Sequence, residues 1–440
     1  MANTYLTRTP SSASNRKTWT WSGWVKRGEL SASNQVLFQA RDGSFPEKLQ
    51  FNSAGKLEYD HDIAGTDYTV RSDMVFRDIN AFYHIVVAKD TTQATETNRI
   101  KVYVNGEQQT LSEYQLGYPP QNYDGAINNN VAHHIGSNNG SEFFDGSMSH
   151  IHFIDGTAYD ATAFGETDAT TGEWKAKTSP SVTYGTNGFL ILKDGNTITD
   201  QSSNSNAFTL SGGTLTDLKD NPDNTFATMN PLYRTTNVTF SNGNNTITSS
   251  SSSWNAPAST LAVSTGKWYV EGKATGYNHN AVGVTSNPNG GSAAYPFEIV
   301  GGYGYKFYSG GKTSMGADDV AYGNTLANGD IFQIALDLDN SKIYFGKNGT
   351  WQNSGVPTSG STGTGSAFTL PSGETYHFVN ALNSQSGGAS SQWNFGNGYF
   401  GTTAITTNSG NGYSGAEGSS KFNYTVPTGY SALSTKGLNE

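Results

Sequence analysis

Short alternating runs that end in tight-turn pairs constrain this chain more than any other feature. Trp19-Thr20-Trp21-Ser22-Gly23-Trp24-Val25 alternates, which places Trp19, Trp21, Gly23 and Val25 on one face of a strand. Ile100 to Val104 runs straight into Asn105-Gly106, and Lys342 to Gly346 leads to Asn348-Gly349, the strongest kind of short-range hairpin signal. Phe82 to Lys89 reads as another strand. Met148 to Ile154 reads as a strand with Met148, His150, His152 and Ile154 on one side and Ile151 and Phe153 on the other. Long Ala/Leu/Glu/Lys runs at helical spacing are missing. Aromatic residues at 12% suit half-buried pleated surfaces, and the 52 glycines fall mostly in polar clusters where turns need positive φ. The expected fold class is all-β: two antiparallel β-sandwich domains of jelly-roll type in tandem, with a β-containing connector.

A length of 440 residues allows two or three domains. The strand signals place a first sandwich over residues 5–160 and a second over 237–440. Between them, residues 161–233 form a connector in which Gly188 to Lys193 and Ala207 to Leu210 read as short strands. A loop of that length is expected to pack on one or both sandwiches. Ser249 to Ser253 is a low-complexity run, expected as a flexible loop.

Only 14% of residues are charged, against about 25% in an average domain. The net charge is −10 and no Lys/Arg cluster occurs, which argues against a nucleic-acid partner. With no cysteine, disulfides and thiolate metal sites are excluded. Met1 to Arg16 is polar and is not expected to act as a signal peptide, and no apolar stretch is long enough for membrane insertion.

Candidate chemistry is sparse. Paired carboxylates for glycoside hydrolysis would sit at i, i+2 or i+4 on one strand. The nearest pairs are Asp60/Asp62 and Asp337/Asp339, each beside a turn where such side chains bond the local backbone. His150 and His152 share a strand face at ligand spacing, and His133 and His134 lie a strand earlier, but a zinc site needs three or four ligands. Gly310-Gly311-Lys312-Thr313 ends like a phosphate-binding loop, yet the position that should hold the first glycine is Lys306. Tyr295, Tyr303, Tyr305, Tyr308 and Tyr322 crowd a Gly-rich stretch; they are read either as exposed rings for sugar or protein contacts or as alternating core residues. No catalytic, cofactor-binding or metal residue is assigned.

The Trp-bearing strand, the Tyr83-His84 step, Tyr103-Val104-Asn105-Gly106 and Phe144-Asp145-Gly146 occur in an order that resembles a laminin-G-like, concanavalin-type jelly roll. That resemblance implies a calcium ion held by loop oxygens, toward which Asp145 or Asp155 supplies one ligand without a complete set. Gly266 to Gly272, Ala281 to Val284 and Gly329 to Trp351 resemble the SPRY domain, a sandwich that recognises protein ligands; inserts at Ser286 to Ala294 and Ser359 to Ser366 depart from it. The connector, from Phe164-Gly165-Glu166 to Asn230-Pro231-Leu232, resembles structural proteins of marine bacteriophages. Together these resemblances imply a non-enzymatic virion structural protein, head-decorating or tail-fibre-like. It would bind a glycan or protein ligand at the virion surface, with host adsorption as one use. It is expected beside other virion proteins, as a homo-oligomer or in many copies. Two alternatives stay open: a concanavalin-type glycoside hydrolase and a lectin-like bacterial surface adhesin.

Overall fold

The computed structural model describes all residues except 1–2, 31–32, 194, 196, 234–236, 278, 289–294, 296, 298–299, 316, 385–387, 407–419 and 440. Most of the insert expected at Ser286 to Ala294 therefore lies outside the described residues. The chain is all-β, and the helical segments among the described residues are short 3-10 turns. It divides into two compact units, Met1–Asp217 with Asn221–Asp223, and Leu218–Asp220 with Asn224–Glu440.

The first unit is a sandwich of an eight-stranded and a six-stranded antiparallel sheet. The eight-stranded sheet runs Leu111–Gln115, Thr66–Val75, Lys56–Ile63, Phe45–Phe51, Gln35–Asp42, His133–Ile135, Tyr5–Arg8 and Thr209–Ser211. The six-stranded sheet runs Phe189–Ile191, Gly146–Asp155, Thr18–Arg27, Tyr83–Asp90, Ile100–Val104 and Glu107–Gln108. Trp19, Trp21 and Val25 project between the sheets into one apolar cluster with Phe38, Phe51 and Tyr59. Gly23 makes room for this packing, since a Cβ there would meet Ile151 Cδ1 at 2.6 Å and the Trp21 ring at 2.7 Å. Asn105 and Gly106 both take positive φ (49° and 89°), as a two-residue hairpin turn requires.

The boundary between the units falls near residue 220 and not at 160. Phe189–Ile191 pairs with Gly146–Asp155, and Thr209–Ser211 pairs with Tyr5–Arg8, so both short strands of the expected connector complete the sheets of the first unit. The same region covers the outer face of the six-stranded sheet. There Val86 and Ile154 are buried against Ala161 and Phe164, with Trp174 and Tyr184 packed alongside. Trp174 Nε1 donates to His84 Nδ1 at 2.9 Å, which leaves the ring proton on Nε2, facing Ser22 Oγ at 2.9 Å. The His84 ring is stacked on Trp24 (4.8 Å) and on Trp174 (6.0 Å).

The strand Gly146–Asp155 corrects the expected alternation. Its register against Thr18–Arg27 shifts between Ser149 and His152, and His150 takes φ 50°. The bulge brings Met148 to the core side with Ile151 and Phe153, and leaves His152 and Ile154 on the outer face.

The second unit is likewise built from two sheets. One carries Val238–Ser241, Thr246–Ser249, Ala389–Asn394, Lys267–Tyr277, Ile331–Asp337, Lys342–Lys347 and Thr350–Trp351, with Phe368–Thr369 and Ser431–Ala432 added off this path. The other runs Ala258–Val263, Tyr376–Ala381, Ala281–Thr285, Gly302–Lys306, Gly311–Ser314 and Ala317–Ala321. Trp393, Phe332, Tyr305 and Phe345 meet in its core. The serine run is no free loop: Ser249 is buried and accepts from Asn255 Nδ2, and Ser384 N donates to Ser251 O at 2.8 Å. The expected insert at Ser359 to Ser366 begins within the 3-10 turns Pro357–Thr362.

Because residues 161–217 cover the outer sheet face, a fragment 1–160 would expose Trp24, Val86 and Ile154 to water. Fragment 1–217 is expected to melt cooperatively by circular dichroism. Fragment 1–160 is expected to show no cooperative transition, or one lowered by ten degrees or more, as the loss of several buried apolar side chains implies.

Candidate functional site

In the eight-stranded sheet, Phe38, Leu49, Tyr59 and Val70 face the core, so the residues between them face outward. Pairing aligns these outward residues into a row across neighbouring strands: Thr7, His134, Gln39, Lys48, Asp60, Thr69 and Tyr114. Lys48 Nζ lies 3.4 Å from Asp60 Oδ2 and 3.7 Å from Glu142 Oε2, and Thr69 Oγ1 donates to Asp60 Oδ1 at 2.8 Å. In the next row Glu58 accepts from Gln50 Nε2 and Asn52 Nδ2, each at 3.0 Å, and pairs with Arg71. The Arg71 guanidinium lies over the Tyr114 ring, 3.1 Å from its centroid.

Although it faces away from the core, this polar surface is largely buried, Gln39 to 0% exposure. Among the described residues, neither polar atom of Gln39 has a hydrogen-bond partner, nor do Gln50 Oε1, Arg41 Nε and His134 Nδ1. A buried polar group left unpaired costs about 1–3 kcal/mol. Donors and acceptors gathered this way, beside the Tyr5 and Tyr114 rings, suit a hydroxyl-bearing ligand.

The residues singled out from the sequence fall as follows. Asp60 belongs to this row, and Asp62 accepts from Gly65 N at 2.7 Å in a turn. Asp337 is fully buried; it accepts from Asn340 N and Nδ2 and lies 3.2 Å from Lys267 Nζ, while Asp339 accepts from Gly266 N. His133 and His134 point to opposite sides of their strand. Asn128 N donates to His133 Nε2, and the His133 Nδ1 proton goes to Val131 O at 2.8 Å. His152 contacts Tyr184 OH at 2.9 Å, and the bulge removes the simple i, i+2 pairing with His150. Among the described residues, no group of three or more His, Cys, Asp or Glu side chains could hold a metal ion. Asp155 accepts from Asn15 N, Asn128 Nδ2 and Asn187 N and so ties three loops together. Asp145 is pushed up to about 6 by burial, with Glu29 adding to it.

Lys312 lies on a strand and donates to Ala367 O at 2.6 Å, so Gly310 to Thr313 forms no phosphate loop. Of the five tyrosines, Tyr295, Tyr303, Tyr305 and Tyr322 are buried, and Tyr308 is exposed. The core reading of that stretch is the one the structure carries. Sequence reasoning missed Glu58, which shares an outward face with Asp60 and Asp62; the i, i+2, i+4 spacing was the available signal. It also missed Gln39, for which no local signal exists.

Two further buried carboxylates have structural duties. Glu47 and Lys89 are both fully buried, 2.6 Å apart, and Glu47 also accepts from Tyr59 OH and Ile127 N. Burial alone would raise the Glu47 carboxyl, but Lys89, His61 and the Ile127 N–H together outweigh it and the group stays below its ordinary value. In the second unit Glu271 accepts from Tyr269 OH, Asn423 N and Tyr424 N; burial pushes it up to about 7 against those donors.

Opposite pH responses follow for the two units. Burial lowers His61 and His133 to about 4 and His84 to about 3, and lowers His134 and His152 as well. The neutral imidazoles stabilise the first unit above their unfolded value of about 6.5, and that contribution is lost as pH falls from there toward 4. Asp145 and Asp60, both raised by burial, oppose this, but as two groups against five. Glu271 has a folded value above its unfolded one, so its contribution is full below about 4.5 and is lost as pH rises through 7. Lowering the pH from 7 to 5 is expected to reduce the melting temperature of fragment 1–217. In fragment 218–440 burial lowers His377, which opposes Glu271 over this range, while Glu271 is held up to about 7; the same change is expected to raise the melting temperature, and Glu271→Gln to remove that rise in calorimetric scans.

Residues 2–163 match a family described as the concanavalin A-like lectin/glucanases superfamily (Laminin_G_3). That stretch of the first unit is similar to a concanavalin-like jelly roll. Among solved structures, the SPRY domain of human HERC1 is 18% identical, with 36% of this chain and 91% of that chain covered and a TM-score of 0.29. A human SPRY domain is 13% identical over 36% and 93% of the two chains (TM-score 0.27). A heptameric SAP-like pentraxin from Limulus polyphemus is 14% identical over 36% and 72% (TM-score 0.27). No curated protein matches the chain.

Proposed function

We propose that this protein is a non-catalytic glycan-binding component of a bacteriophage particle, displayed in several copies. It would present the outer polar face of its first sandwich to a neutral saccharide and carry a SPRY-like second sandwich for contacts with other virion proteins. The observation that carries the binding reading is the row from His134 through Gln39, Lys48 and Asp60 to Thr69, a buried set of donors and acceptors turned away from the core. The concanavalin-like match over residues 2–163 supports a saccharide as the ligand class. Glu58, Asp60 and Glu142 disfavour an anionic one. The virion setting is supported by the likeness of the 164–232 region to marine phage structural proteins. Many copies would raise a weak single-site affinity by avidity.

The non-catalytic reading is supported by how the carboxylates are used. Glu58 is held by Arg71, Gln50 and Asn52, and Asp60 by Lys48 and Thr69. The alternative, a glycoside hydrolase, draws on Glu58, Asp60 and Asp62 sharing one strand face. Asp60→Asn is expected to weaken binding of a neutral oligosaccharide about tenfold, the scale of one charge-assisted hydrogen bond. Mass spectrometry of washed phage particles should find the protein. Turnover of the oligosaccharide that Asp60→Asn abolishes would establish the enzyme instead, and absence from washed particles would refute the virion setting.

A further inference from the structure

The outer face is partly roofed by the turn segment that follows His133–Ile135. Asn138 and Ser141 bridge each other across a tight turn, each backbone N–H donating to the other's carbonyl oxygen. Three contacts fasten this hairpin to residues around Gln39. Arg41 Nη2 donates to Asn138 Oδ1 at 2.9 Å, Glu142 lies 3.7 Å from Lys48 Nζ, and the Phe143 ring sits 6.0 Å from Tyr5. Lys48 and His134 flank Gln39 on the neighbouring strands, Arg41 is two residues along its own strand, and Tyr5 packs 5.5 Å from His134. The anchors of the hairpin therefore surround Gln39, an outward side chain that is completely covered and whose amide has no partner among the described residues.

An amide enclosed without partners is an unfavourable arrangement unless something else completes it. The enclosing side-chain contacts are a long ion pair, one hydrogen bond and one ring contact, the kind that breaks at small cost, beside one backbone bond from Val36 N to Glu142 O at 3.0 Å. A carboxamide offers one acceptor and two donors, which matches a pair of adjacent sugar hydroxyls, each a donor and an acceptor.

We infer that the hairpin 137–143 is a lid over the saccharide site, and that its lifting exposes the Gln39 amide, with His134 beside it, as the group that reads paired hydroxyls of the ligand. This inference rests on the glycan reading above and adds to it the specificity residue and the gate. In the closed form the site is self-occluded, and a sugar must displace Glu142 from Lys48 to reach Gln39.

The experiment uses the full chain, titrated with neutral hexasaccharides of glucose, galactose and N-acetylglucosamine, alongside Gln39→Met and Glu142→Gln. Gln39→Met keeps the shape of the side chain and removes the orphan amide. It is expected to leave the melting temperature unchanged or higher while lowering affinity at least tenfold. Glu142→Gln is expected to speed hydrogen exchange at the Val36 amide, which donates to Glu142 O at 3.0 Å, without weakening binding. Binding by the wild type that Gln39→Met retains would overturn the inference and leave the glycan reading standing. So would a Gln39→Met variant that is destabilised and binds normally, since the amide then serves structure through bound water. Unchanged Val36 exchange in Glu142→Gln would remove the lid. Failure of the wild type to bind any of the three sugars would sink the glycan reading, and this inference with it.

Discussion

The stack of Trp24, His84 and Trp174 fixes the first unit. A sheet has two faces, and the inner face of the six-stranded sheet is served by the usual apolar cluster. Its outer face also carries apolar residues, Val86 and Ile154, that need cover. The chain supplies it from residues that follow the jelly roll in sequence, and the neutral ring of His84 is the joint: it accepts from Trp174 on one nitrogen and faces Ser22 with the other. Protonating that ring would put a charge between two indoles in a buried space. The position of residues 161–185 follows from this requirement.

The eight-stranded sheet solves the opposite problem. Its outer face is polar, and several of its side chains pair across strands: Lys48 with Asp60, Arg71 with Glu58, Thr69 with Asp60. Such a network is held in place by register, since a one-residue slip would turn the whole row inward. The aromatic core on the other side, with Phe38, Tyr59 and Trp19, fixes that register. Precise donors and acceptors on the outside are therefore a by-product of tight packing on the inside.

Much of the fold was legible in the sequence, for local reasons. The alternation of Trp19 to Val25 reports an inner face directly, and Asn105-Gly106 and Asn348-Gly349 adopt the positive φ pairs their composition calls for. The bulge between Ser149 and His152 was not legible, because an extra residue in a strand is decided by the partner strand and leaves the local pattern unchanged. The destination of Phe189–Ile191 and Thr209–Ser211 was hidden for a related reason: a strand signal names an element and not its neighbour. The candidate site was legible only in its carboxylates. Gln39, Asp60 and His134 come from three strands that meet only when the sheet forms, and one glutamine in an alternating run looks like any surface residue.

Tyr5 pairs with Ser211, and Trp268 pairs in parallel with Ser431. In each unit an early strand waits for a partner made some two hundred or one hundred and sixty residues later. On a ribosome the first sheet stays open along Tyr5–Arg8 until residue 211 has emerged, and the second stays open beside Trp268 until residue 431 has. Contacts so distant in sequence close slowly, after much loop entropy has been lost. Nascent chains of this protein must therefore pass through a long interval with unpaired strand edges, in which holding neighbouring copies apart matters as much as any property of the finished fold.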